Sequence, residues 1–207
     1  MDATRIPTSV FSAMGKLLDY CLNRKQLQRH TAEAASKLVS VLDRYVRDCA
    51  AAASDDGYLP GANPQYNDYR NRKEQCADPV LALPDIPGWN LLPLRYTDGV
   101  RDIEHRQNDI SDVLQEAFEG DFGALDEYFA ERQRVFAELG FRATLLSRDL
   151  RAEYGLMPPS VRHRERETLL EKTLQYHDGF SIRLRRSERR IARQARMSEQ
   201  NDNQRDG

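Results

Sequence analysis

The chain has 207 residues, of which 40% are hydrophobic and 31% charged, which is leaner in apolar side chains and richer in charge than an average globular domain. A net charge of −2 excludes a wholly cationic coat for nucleic acid, and apolar residues that recur in register exclude an intrinsically disordered chain. What fits is an all-α, elongated bundle of three to four long amphipathic helices, each needing one apolar stripe.

The first helix is expected over about 8–52. Pro7 precedes it, and the hydroxyl of Thr8 or Ser9 can cap its free amides. Its seam runs through Phe11, Met14, Leu18 and Cys21, then Ala32, Ala35, Val39, Leu42, Val46 and Cys49, in alternating steps of three and four. That is the heptad spacing of a coiled coil. Lys25 and Gln28 hold the two seam positions between the halves. Leu17, Leu22, Leu27, Leu38 and Tyr45 flank this seam and are candidates for a second, uncovered stripe that would support a homo-oligomer.

Residues 53–96 read as a long irregular connection. Pro60, Pro64, Pro79, Pro84, Pro87 and Pro93 forbid a long regular helix there. Tyr58, Tyr66, Tyr69, Trp89 and Tyr96 gather in the same stretch. The runs Pro79–Leu83 and Trp89–Leu92 are too apolar for a free linker, so the segment is predicted to pack on the bundle with Trp89 as its anchor. A short helix is predicted near Asn67–Gln75. Tyr58, Tyr66 and Tyr69 sit among Asn, Gln and Arg, a composition suited to a partner-binding loop.

A second helix is expected over 97–119, with Val100, Ile103, Gln107, Ile110, Leu114 and Ala117 as its stripe. Gly120-Asp121-Phe122-Gly123 should break it. A third helix, over 123–155, carries Leu125, Phe129, Phe136, Leu139, Ala143, Leu146 and Leu150, with Arg132 as its one polar seam position. Gly155 and Pro158-Pro159 mark its end. Ser160 then caps a fourth helix over 160–198, with a seam of Leu169, Thr173, Tyr176, Phe180, Leu184, Ile191 and Ala195. Residues 1–198 are taken as a single helical-bundle domain, antiparallel where its helices are successive, and 199–207 as a disordered polar tail.

The strongest local signal is cationic. Arg183, Arg185, Arg186, Arg189, Arg190, Arg193 and Arg196 fall within one stretch of the fourth helix, opposite Phe180, Leu184, Ile191 and Ala195. Such a face can track phosphates, meet an acidic protein or a membrane surface, or stay solvated; Arg183, Arg186, Arg189, Arg190 and Arg193 are the candidate anion- or partner-binding residues. Lys25, Gln28, Gln107 and Arg132 break apolar seams, which fixes register in a bundle or builds a polar pocket inside it.

Catalytic and metal signatures are missing. Cys21, Cys49 and Cys76 form no CxxC pair, and the histidines His30, His105, His163 and His177 form no Glu-x-x-His pattern. There is no phosphate-binding glycine loop and no nucleophile elbow. No cofactor or metal is expected. The odd cysteine count, the lack of a leader pattern in Met1–Pro7 and the absence of an apolar run near ~20 residues predict a cytoplasmic protein. Three functions remain at this point. One is a non-enzymatic scaffold, adaptor or complex subunit that binds a protein partner. Another is an anion- or nucleic-acid-binding module acting through the Arg face. The third is an enzyme with a polar pocket around Arg132 and Lys25.

Overall fold

The computed structural model describes residues 8–58, 72–118 and 124–178, with side chains on the first helix described from Tyr20 onward. Most of the described residues are helical, and among them there is no strand. Helix α1 spans Thr8–Ala52, α2 spans Leu94–Phe118, α3 spans Ala124–Tyr154, and α4 covers 161–178. A 3-10 turn at Trp89–Leu91 interrupts the connection between α1 and α2.

Local chemistry sets the helix ends. The α2 helix opens at Leu94, three residues before the predicted Thr97, because the Pro93 carbonyl already accepts the Tyr96 amide at 2.9 Å. Proline lacks only a donor that a first turn leaves unpaired anyway. Gly155, at φ +60°, closes α3, and the Leu156 amide reaches back to the Arg151 carbonyl at 3.0 Å. That bond is the long closure of a glycine-capped helix end. Ser160 caps α4, its hydroxyl accepting the His163 amide at 3.2 Å.

Helix α3 is the axis of the bundle. Asp43 of α1 meets Ser147 and Arg151, the Cβ of Cys49 lies against Gly140, and Asp55 just past α1 meets Arg132. Rising numbers on α1 therefore pair with falling numbers on α3. The same holds for α2, where Gly99 lies against Leu146 and Arg106 lies near Glu138. It holds again for α4, where Glu167 pairs with Arg148 and Leu170 sits beside Gly140. Three helices thus run one way around a fourth that runs the other way. The expectation that successive helices are antiparallel fails for α1 and α2, which are parallel.

That topology accounts for the long connection. The chain leaves α1 level with Arg132 and must enter α2 level with Glu153, since Tyr96 bonds Glu153. Twenty-one α-helical residues at ~1.5 Å each make this return roughly 30 Å. The described part, 72–93, lies along the bundle with Leu81, Ile86 and Leu92 buried and Val80 exposed. The Leu81 amide donates to Gln107 Oε1 at 2.6 Å. Trp89 is half-buried, so the deeper anchors are the three aliphatic residues. Of the short helix expected at Asn67–Gln75, residues 72–75 are not helical and the others lie outside the described residues.

The core is wider than a heptad seam. Ala35, Val39, Leu42, Val46 and Cys49 are buried as their spacing predicts. Leu38 and Tyr45, read as an exposed second stripe, are buried as well, together with Ala34 and Ala52. The reason is that α1 is enclosed from more than one side, by α3, by the connection near Gly88 and by α4. On α3, Val135, Ala137, Gly140, Thr144 and Ser147 join the predicted Phe129, Phe136, Leu139, Ala143 and Leu150 in the interior. A helix packed against three others buries a wider face than a single seam. The α4 stripe is displaced by one position. Tyr176 is 65% exposed, while His163, Leu170 and His177, each seven residues apart, face inward.

Candidate functional site

The connection is fastened to α3 by a buried charge junction. Arg132 has no exposed surface. Its Nη1 lies 2.9 Å from Asp55 Oδ2, its Nε 2.8 Å from Asp78 Oδ1, and its Nη2 donates to the Cys76 carbonyl at 2.8 Å. Asp55 is itself saturated, for it accepts the Gly57 amide at 3.0 Å and the Gln75 amide at 2.8 Å. Burial alone would raise the Asp55 pKa. The amides of Gln75 and Gly57 and the Arg132 cation outweigh it and hold the carboxyl below its ordinary range. Burial likewise opposes the Arg132 charge, and its bonds to Asp78 and Cys76 overcome that, so its pKa is raised.

Each nitrogen of the Arg132 fork is thus engaged by the chain itself, and the junction ties the connection to α3. The third sequence hypothesis joined Arg132 to Lys25 in one pocket. That pairing is corrected here: Lys25 is exposed on α1 among residues that nothing described covers, and Arg132 is enclosed at the other end of the bundle. The remaining seam-breakers divide the same way. Gln107 ties the connection to α2, and Gln28 is exposed.

The Cys76 thiol lies 3.7 Å from Arg132 Nη2. Burial raises its pKa by more than Arg132 lowers it, so it is not an activated thiolate. An open cleft of about 710 Å³ adjoins the junction, lined among others by Arg72, Gln75, Ser111, Leu114, Tyr128 and Phe129. The Arg72 guanidinium packs between the rings of Tyr58 at 4.5 Å and Phe129 at 4.7 Å and donates to the Asp56 carbonyl and to Asp126. Tyr58, a sequence candidate for partner binding, is half-buried in that stack. Tyr66 and Tyr69 lie outside the described residues, as do Arg183, Arg186, Arg189, Arg190 and Arg193 and the tail 199–207.

A second polar cluster binds three helices. Asp43 of α1 receives the Ser147 hydroxyl at 2.9 Å and two Arg151 nitrogens at 2.5 and 3.2 Å, and His163 Nδ1 of α4 lies 3.6 Å away. Serine, histidine and aspartate meet here, but the serine hydroxyl is given to the carboxylate and not to the imidazole. The arrangement cannot make a serine nucleophile, which needs the base on the hydroxyl. Among the described residues no group of three or more His, Cys, Asp and Glu is placed to hold a metal ion.

His177 is buried on α4 and its Nε2 has no hydrogen-bond partner among the described residues. Burial first, and Arg134 second, lower its pKa, so the fold holds the neutral ring. The unfolded chain takes up that proton first as pH falls through the ordinary value of about 6.5. Stability from this site is therefore full above that value and is lost below it, down to the native pKa. Wild type should lose more urea-midpoint stability between pH 7.5 and 5.5 than His177→Leu, whose leucine costs no hydrogen bond at Nε2. Equal losses in the two proteins would refute the assignment.

The other distinctive surface is the Tyr20–His30 stretch of α1. Every described side chain from Tyr20 to His30 is exposed, with Tyr20 at 65%, Leu22 at 60% and Leu27 at 52%. Cover begins where Gly88, at φ +82°, lies so close that a Cβ there would stand 3.4 Å from the His30 carbonyl oxygen and 3.6 Å from Ala34. The sequence read Cys21 as a covered seam residue; it is exposed, because no described element extends that far. Among the described residues no helix is long and apolar enough to cross a membrane. No family model, curated protein or solved structure matches this chain.

Proposed function

We propose that the chain is a non-enzymatic helical interaction protein, a scaffold, adaptor or complex subunit, that binds a protein partner along the exposed Tyr20–His30 stretch of α1. The single observation that carries this reading is the run Tyr20–His30, helical and exposed at every residue, with Tyr20, Leu22 and Leu27 among its side chains. A helix in water draws most of its stability from packing an apolar face, and an amphipathic helix laid against another protein is a common mode of recognition. Support also comes from the two polar clusters, whose donors and acceptors are spent on one another and on the backbone.

The experiment is a capture from the source organism's extract, with wild type and Tyr20→Glu/Leu27→Glu as parallel baits. Both substitutions lie on exposed positions, so the melting temperature should be unchanged. A protein retained by wild type and lost from the variant is the expected result. Identical sets of captured proteins on the two baits would refute the reading. Anion binding through Arg183, Arg186, Arg189, Arg190 and Arg193 stands as the second proposal and rests on their sequence spacing alone.

A further inference from the structure

We infer that His177 is a pH-sensitive latch on the C-terminal end of α4. With the ring neutral this end stays packed on the bundle, and protonation releases residues 171–178 while the rest of the fold stays closed. The two halves of α4 are held by different means. The first half is fastened by the Ser160 cap, by His163 beside Asp43 at 3.6 Å, by the Glu167–Arg148 pair at 3.3 Å and by Leu170, fully buried beside Gly140. Past Leu170 such ties end. The Thr173 hydroxyl donates to the Leu169 carbonyl and the Gln175 amide to Glu171, both within the helix. Among the described residues no hydrogen bond or ion pair joins 171–178 to another element. Thr173 and Leu174 are half-buried, and His177 is the one buried side chain of this stretch. A segment held at so few points opens locally at a lower free-energy cost than the core beneath it.

The position of the His177 ring admits one charge state. Its Nε2 is enclosed and has no hydrogen-bond partner. A neutral imidazole can leave that nitrogen as a bare acceptor and forgo one hydrogen bond. The cation carries a donor on each nitrogen, so its Nε2–H would be enclosed with no acceptor in reach. Enclosing an unpaired charge costs more than enclosing a neutral polar group.

The charged groups that act on the ring do not repair this. Arg134 of α3 repels a cation. Glu131 of α3 attracts one, but its two oxygens already hold the Arg134 guanidinium at 2.9 and 2.5 Å, and Glu138 shares that guanidinium at 3.5 Å. Asp178, on α4 itself, is exposed, so water and salt screen its charge. Burial and Arg134 accordingly outweigh Glu131 and Asp178, and the closed ring titrates below its ordinary value. Released into water, the ring regains a value of about 6.5. The open form therefore takes up the proton first as pH falls. Above about 6.5 the closed form keeps its full advantage. Below it the ratio of open to closed rises by at most about tenfold per pH unit, until the closed ring titrates as well. Arg134 holds the Glu131 carboxyl below its usual range, so Glu131 stays charged throughout this window.

Hydrogen–deuterium exchange of the full chain at pH 7.5 and pH 5.5, corrected for the intrinsic pH dependence of amide exchange, tests the latch. Wild type and His177→Leu are measured side by side. Both retain His163, so their difference reports His177 alone. In wild type the amides of 171–178 should lose protection by about three- to tenfold at pH 5.5, while those of α3 keep theirs. In His177→Leu the protection of 171–178 should be the same at both pH values. Three results would overturn the inference: no loss in wild type, an equal loss in His177→Leu, or a loss spread evenly over α1, α2, α3 and α4. The last would leave His177 linked to global stability, with no local release.

Discussion

Arg132→Met is expected to destabilise the protein by about 3–5 kcal/mol, measured as urea unfolding at pH 7 followed by circular dichroism, because it strands Asp55 as a buried carboxylate without its cation. The two partners of Arg132 are unequal. The Asp55 side chain is 3% exposed and that of Asp78 45% exposed. Water can replace Arg132 at Asp78, so Asp78→Asn should cost no more than about 1 kcal/mol. Asp55→Asn keeps an oxygen for only one of the Gly57 and Gln75 amides, which bond different carboxylate oxygens, and removes the charge that Arg132 answers. Combined with Arg132→Met it should therefore cost less than the sum of the single changes, with a coupling of at least about 1 kcal/mol. Additive losses would show that the pair is not the unit that holds the connection.

The sign of the acid response follows from the same junction. The native Asp55 carboxyl titrates below its unfolded counterpart, so its contribution is complete above the ordinary value of about 3.9 and disappears as pH falls through the native one. Arg132 is part of what lowers that value. Arg132→Met should accordingly lose less of its remaining stability than wild type between pH 5 and pH 2.

Helix content was largely legible in the sequence, and the reasons are local. Gly155 and the hydroxyl of Ser160 act within a turn of their own positions, and α1 and α3 span Thr8–Ala52 and Ala124–Tyr154. What lies around each helix was less legible. A three-four pattern reports one packed face, whereas α1 and α3 are enclosed from several sides, which is why Leu38, Tyr45, Thr144 and Ser147 are buried beyond the seam. On α4 the same rule chose Tyr176 over its neighbour His177, because a tyrosine looks more apolar than a histidine, and the packing took the histidine.

The charge junction left one trace in the sequence, the arginine interrupting the α3 seam between Phe129 and Phe136. Its acids could not be read from spacing. Asp55 stands 77 residues away and Asp78 54 residues away, and Asp55-Asp56-Gly57 looks like an ordinary turn. The parallel course of α1 and α2 was hidden for a related reason. A proline-rich stretch of this length signals an irregular connection but not that it must return the full height of the bundle. Nor does any local rule separate a seam position that is covered from one that is exposed. Cys21 and Cys49 have the same spacing credentials and opposite exposure.

Gly140→Ala should destabilise the protein by about 1–3 kcal/mol even though alanine is the better helix former by roughly 1 kcal/mol. Gly140 lies in α3 against both α1 and α4. A Cβ there would stand 2.7 Å from Cys49 Cβ and 3.0 Å from Leu170 Cδ1. The Leu170 methyl can turn aside, but the Cys49 Cβ is fixed to the α1 backbone, so the helices must part. Separation would loosen the buried residues around Leu42, Val46 and Leu139 as well. The location of the clash makes a sharp control. Cys49→Ala removes the sulfur and keeps the Cβ, so the cost of Gly140→Ala should persist in that background within about 0.5 kcal/mol. Leu170→Ala, by contrast, should relieve a part of it. Full rescue by Cys49→Ala would mean that the sulfur, and not the spacing of the two helices, sets the need for glycine. A larger residue such as valine adds two methyl groups at the same crossing and should cost more than alanine, so the series from glycine through alanine to valine should fall monotonically in melting temperature.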